Sequence, residues 1–160
     1  RMLVRKISRY PVEAVYSSDL QRAHITATAV ARGFGAEVVV RPGLREMHFG
    51  SWEGLSWRQV ARRFPRVSRV WLRRFPHHTI RGAARFDVFK KRVERELDEI
   101  VAAHTGGCAA VVTHGGVVRL MLAGALGVPD RNLFRMAVDP GALSVIDVSR
   151  EGVIVQFVNG

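Results

Sequence analysis

The sequence predicts an α/β fold: a three-layer α/β/α sandwich around a mostly parallel sheet. Three observations point to it. Strand-like and helix-like runs alternate along the chain, the order that lays helices on both faces of a sheet. Residues 108–113, Cys-Ala-Ala-Val-Val-Thr, form an unbroken apolar run of the kind buried on both faces of a parallel sheet. Finally, 160 residues with 48% hydrophobic and 24% charged side chains are enough for one domain with a real core, and residues 1–160 are read as that domain.

The elements follow in order. Residues 2–9 read as the tail of a helix stopped by Pro11. Residues 13–16 form a short strand running into Ser17, Ser18 and Asp19. Ser18 with Gln21 three residues later has the form of a capping box and predicts a helix over 20–32, ended by Gly33 and Gly35. Residues 37–40 are an apolar strand, followed by a loop over 42–54. Ser56 with Gln59 repeats the capping-box form and opens a second helical region, punctuated by Pro65 and Pro76. Phe86, Phe89, Val93, Leu97 and Ile100 step by three and four, one face of a long amphipathic helix closed by Gly106 and Gly107. After the 108–113 strand, residues 117–126 read as a helix ended by Gly127 and Pro129. Residues 143–148 and 153–158 flank Ser149–Gly152 as a hairpin.

The net charge is +11, most of the excess being arginine. Such a field attracts anions. The densest arginines (62, 63, 66, 69, 73, 74, 81 and 85) are scattered without interleaved aromatics and read as a solvated helical face. No nucleic-acid motif accompanies them, so no specific nucleic-acid partner is expected. No apolar run is long enough to span a bilayer, so no membrane partner is expected. The single cysteine, Cys108, lies in the apolar strand and reads as a small core residue.

Three segments carry chemistry, each where a strand gives way to a loop or helix, the place where open α/β sheets bind ligands. In Ser17-Ser18-Asp19-Leu20-Gln21-Arg22-Ala23, an arginine in a first helical turn sets a planar cation beside free N–H groups, an arrangement that suits phosphate. In Leu44-Arg45-Glu46-Met47-His48-Phe49-Gly50-Ser51-Trp52-Glu53-Gly54, a loop holds carboxylates, a histidine and aromatics. Taken alone, Glu46 and Glu53 would simply pair with nearby arginines. In Thr113-His114-Gly115-Gly116-Val117-Val118-Arg119, a histidine ends a buried strand and two glycines open a helix whose N–H donors face outward.

In order and spacing, Ser-Asp-Leu-x-Arg-Ala-x-x-Thr-Ala, Leu-Arg-Glu-x-x-Phe-Gly-x-Trp-Glu-Gly and Thr-His-Gly-Gly-Val-x-Arg resemble the signatures of the histidine phosphatase (phosphoglycerate-mutase-like) superfamily. The resemblance runs from Glu13 to the closing hairpin. It implies that Arg22 holds the transferring phosphoryl group. Glu46 would be the acid that protonates the leaving oxygen and later activates water. His114 would be the second histidine on the phosphoryl oxygens, with the Gly115 N–H beside it. These roles fit phosphoryl transfer, which needs in-line positioning and donors around the equatorial oxygens.

The family's first motif, Arg-His-Gly, which carries the phosphorylated histidine at the end of the central strand, is not in the chain. His24, His48, His77, His78 and His104 are poor substitutes by position. The expectation is therefore a phosphomonoester hydrolase whose nucleophile lies upstream of Arg1, with the N-terminal strand missing here and the chain inactive without it. Two smaller departures are Ile25 in place of a common glutamine and Ala84 near a position where relatives carry a glutamate. The short span over 55–112 is similar to the small phosphatase branch, which includes α-ribazole and broad-specificity phosphatases. A phosphoglycerate mutase, a catalytically silent phosphate binder and a nucleic-acid-binding module remain as alternatives. The resemblance implies no cofactor and no metal, a small phosphorylated substrate as partner, and a cytoplasmic location. A homodimer is left open.

Overall fold

The computed structural model describes residues 2–160. Helix α1 (Met2–Ile7) leads into strand β1 (Ala14–Ser17), helix α2 (Gln21–Phe34) and strand β2 (Val38–Val40). Two 3-10 turns, Pro42–Leu44 and Gly50–Trp52, then punctuate the long loop. Helices α3 (Trp57–Arg63), α4 (Pro65–Arg74) and α5 (Phe86–Ala103) precede strand β3 (Ala109–Val112) and helix α6 (Gly115–Leu126). A 3-10 turn at Asp130–Arg135, which the sequence pattern did not anticipate, leads to the hairpin β4 (Val145–Ser149) and β5 (Gly152–Phe157).

The main sheet has the order β2-β1-β3, and all of its pairings are parallel. Alternation along β1 separates two cores. Val15 and, beside it, Ala110 of β3 pack with Ile7, Ala27, Val30 and Ala31 of α1 and α2. Tyr16 faces the other way, into a larger core with Leu44, Val93, Val117 and Leu120, which brings in α5 and α6. A period of two in the strand thus becomes helices on both faces, the expected sandwich. The larger core is rich in aromatic rings in edge-on contact, with Phe75 centroids 5.2 Å from Trp71 and 4.7 Å from Phe86.

Among the described residues, β3 pairs with β1 alone, and the hairpin forms a separate sheet of order β4-β5. Its apolar residues Val148, Val153 and Ile154 stand exposed, Ile154 at 62%.

Several local expectations need correction. Ser56 does form its capping box: the Gln59 N–H donates to Ser56 Oγ at 3.3 Å, and Gln59 Oε1 accepts from the Ser56 N–H at 2.8 Å. Ser18 forms none. The residue capping α2 is Leu20, without a side-chain bond, because the Ser18 hydroxyl is engaged elsewhere. Gly33 stays inside α2, where a Cβ would lie 2.9 Å from Val4, and only Gly35 ends the helix, in the left-handed region at φ 64°. α6 starts two residues earlier than expected, at Gly115, because His114 is its N-cap. α1 stops at Ile7 rather than at Arg9.

Candidate active site

Parallel pairing brings the C-terminal ends of β1 and β3 side by side, Ser17 opposite Val112. Ser18, one residue beyond β1, and His114, two residues beyond β3, meet there. Ser18 Oγ lies 2.7 Å from His114 Nε2, and Ser18 is wholly buried. Arg22, in the first turn of α2, donates from Nε to His114 Nδ1 at 3.2 Å. The first and third segments are thus joined through both nitrogens of one ring.

The second segment is tied to both. Arg45 donates to the Asp19 carboxylate through Nε at 2.6 Å and through Nη2, a bidentate pair that holds the Asp19 carboxyl below the usual range. Thr113 Oγ1 donates to the Leu44 carbonyl at 2.7 Å. From α5, Arg92 donates to the carbonyls of Gly43, Arg45 (2.9 Å) and Pro42 (3.4 Å), bracing the turn that ends at Glu46. Gly43 has no room for a side chain: a Cβ there would sit 2.1 Å from Glu96, which is buried in α5.

Glu46 lies over the first turn of α6. Its Oε2 accepts from the Gly116 N–H at 2.9 Å and its Oε1 from the Met47 N–H at 2.8 Å. The helix N-terminus supplies both a free donor and a positive field to this carboxylate. Contact is possible only because residue 116 is glycine, since a Cβ there would lie 2.2 Å from Glu46 Oε1. Gly115 is less constrained. Its Cβ would meet only the end of the Arg119 side chain.

His114 is 7% exposed. Burial, and after it the charges of Arg22 and Arg92, push its pKa down to about 4, with Asp19 opposing. The ring is therefore neutral near neutral pH.

Arg22 thus bonds His114, Gly115 follows it in the chain, and Glu46 bonds the next residue, Gly116, all at the sheet's C-terminal end. Among the described residues, Glu46 and Glu53 do not pair with arginines as their isolated context suggested. Glu46 binds backbone N–H groups, and Glu53 accepts from the Phe49 N–H within its own loop. Backbone donors were available closer than any guanidinium. His48 contacts Gly82 and Gly50 and takes no part in the network. His104 bonds the Tyr16 hydroxyl at 2.9 Å, and His24 is exposed on α2. Cys108 is half-buried, and burial raises its pKa, which disfavours the nucleophilic thiolate. Ser18, Asp19, Arg92 and Thr113 belong to the network without having been singled out for a role in it. Glu96 carried a signal, since it falls on the buried stripe between Val93 and Ile100.

A guanidinium, an imidazole at a helix N-cap and a carboxylate on the same helix end are groups that can bind an oxyanion and exchange a proton on an open α/β sheet. The comparisons with known proteins agree with that class. The family model described as histidine phosphatase superfamily (branch 1) matches residues 1–160, and the chain belongs to this family. A bifunctional protein of Mycobacterium tuberculosis is 36% identical over 141 residues, 88% of this chain and 38% of that protein. The chain therefore spans well under half the length of that relative. An adenosylcobalamin/α-ribazole phosphatase of Salmonella typhimurium is 30% identical over 138 residues, 86% of this chain and 68% of the relative. Among solved structures, the α-ribazole phosphatase of Shigella flexneri superposes with a TM-score of 0.82 at 26% identity, covering 99% of this chain and 78% of the other. Among the described residues, no helix is long and apolar enough to cross a membrane.

Proposed function

We propose that the chain forms most of a phosphomonoester hydrolase that works through a phosphohistidine intermediate on a small phosphorylated metabolite. The nucleophilic histidine, in this reading, comes from a segment preceding Arg1. The observation that carries the proposal is that Arg22 bonds His114 while Glu46 bonds the Gly116 N–H, two residues further along the chain, at the ends of β1 and β3. Two features of the sheet support an additional strand beside β3: β3 pairs on one side only, and the hairpin leaves Val148, Val153 and Ile154 exposed.

In the proposed reaction an imidazole nitrogen attacks phosphorus, and the bond to the leaving oxygen breaks as that oxygen takes a proton from Glu46. Arg22 and His114 donate to the equatorial oxygens, where charge accumulates. Water then attacks the phosphohistidine, giving its proton to Glu46 and releasing inorganic phosphate. Glu46 and Gly116 also line a small recess walled by Phe49, Phe75, Phe86, Phe89, Leu133 and Phe134, so one side of the carboxylate faces apolar rings.

The test is to assay the full-length protein against a panel of phosphomonoesters and against isomerisation of 3-phosphoglycerate, with trapping of acid-labile, base-stable phosphoprotein. Hydrolysis with trapped phosphohistidine is expected. Faster isomerisation would make it a mutase, and phosphate binding without turnover a silent binder.

A further inference from the structure

We propose that Ser18 is a positioning residue for this reaction: its hydroxyl oxygen accepts the Nε2 proton of His114 and so leaves Nδ1 as the nitrogen turned toward Arg22 and a bound phosphoryl group. The inference rests on the phosphatase reading of the site and adds to it a residue that the motif roles do not include.

The geometry allows one assignment. Arginine Nε always carries a hydrogen, so at 3.2 Å it can only donate to Nδ1. Nδ1 is then unprotonated, and a neutral imidazole must carry its proton on Nε2. Ser18 Oγ, at 2.7 Å, is the acceptor of that proton. If the hydroxyl instead donated to Nε2, both ring nitrogens would need lone pairs, which no neutral imidazole has. The acceptor is held firmly. The Ser18 N–H donates to the Val112 carbonyl at 3.4 Å, and Ser17 Oγ donates to the Ser18 carbonyl at 2.8 Å. Helix capping does not account for Ser18, because the α2 cap is Leu20 and makes no side-chain bond.

The same hydroxyl serves both states that the reaction needs. A phosphoryl dianion has no proton to give, so Nδ1 must gain one before it can bond to it. Nε2–H remains donated to Ser18 Oγ while Nδ1 exchanges Arg22 for the phosphoryl oxygen. The charged groups around the ring set the balance of this exchange. Arg22 from α2 and Arg92 from α5 disfavour the cation, while Asp19, beyond β1, favours it. Glu46 is bound two residues along α6, on Gly116. A bound phosphate dianion adds the negative charge that tips the ring to the cation. Phosphate binding should therefore take up a proton at Nδ1.

The experiment reads the His114 ring nitrogens by nitrogen-15 NMR in the full-length protein, with inorganic phosphate as the probe. Above pH 6 the free wild type should show the proton on Nε2, and saturation with phosphate should protonate Nδ1. Ser18→Ala should mix the two tautomers and weaken phosphate binding about tenfold, the worth of one hydrogen bond. Ser18→Thr, which keeps the hydroxyl, should restore both. A wild-type ring protonated on Nδ1 in the free protein would overturn the assignment, and this measurement needs no variant to fold. Phosphate bound by wild type and Ser18→Ala alike, with an unchanged tautomer, would remove the role of Ser18 while leaving the phosphatase reading intact. No phosphate binding by the wild type, or binding indifferent to Arg22→Ala, would remove that reading and the role of Ser18 with it.

Discussion

At the scale of single residues, the free site depends on positions where burial or close contact disfavours an added atom or an added charge. His114 is the clearest case. Its folded pKa, about 4, lies below the ordinary 6.5, so the folded state favours the neutral ring. That contribution is complete above pH 6.5 and is lost as pH falls from 6.5 toward 4, where only the unfolded chain gains the proton. The loss should approach about 3 kcal/mol. Urea denaturation of the wild type and of His114→Gln across this window measures it as a difference; equal slopes would assign the effect to other groups. Gly116→Ala should drive the Glu46 carboxylate off the helix end and lower hydrolysis about 10²-fold, the lower range for a lost general acid. Gly115→Ala should cost much less, because only a flexible guanidinium stands in the way.

At the scale of elements, what the sequence disclosed was what local pattern can encode. α5 announced itself by the spacing of Phe86, Phe89, Val93 and Ile100, and β3 by its unbroken apolar run. Ser18 and Ser56 carry the same four-residue pattern, yet only Ser56 caps a helix. What separates them is His114, 96 residues further along the chain, and no window around Ser18 contains that fact. Arg92 is hidden for the same reason: its partners are the carbonyls of Pro42, Gly43 and Arg45, 47 to 50 positions away. Glu46, Arg22 and His114 were singled out by motif order, but the Gly116 N–H that holds Glu46 is a consequence of folding. Two predictions belong here. Arg92→Met should loosen the turn that carries Glu46, lowering kcat more than it raises KM and costing about 1–3 kcal/mol in stability for the carbonyls left without a donor. Ser56→Ala should cost about 1 kcal/mol through the lost cap and leave turnover as it was, by thermal unfolding and assay of the same preparation.

At the scale of the whole molecule, the net charge is +11, and α3 and α4 carry an exposed arginine face that makes no bond to Arg22 or His114 among the described residues. It acts at a distance and is screened as salt rises, because the Debye length shrinks from about 10 Å at 0.1 M to about 3 Å at 1 M. Replacing Arg62, Arg66, Arg69 and Arg73 by Gln should slow the capture of an anionic substrate severalfold at low salt and leave kcat alone. Stopped-flow association rates over a salt series test this; a fall in kcat would place these arginines closer to the chemistry.

The lone pairing of β3 has a practical consequence. Its outer row of backbone donors and acceptors, flanked by an uncovered hairpin, is a template looking for a strand. Purified by itself, this stretch of polypeptide should be sticky, drifting into concentration-dependent clumps as molecules zip together along that margin. A short synthetic peptide of extended, apolar character, added in trans, should dock there and return the preparation to single particles.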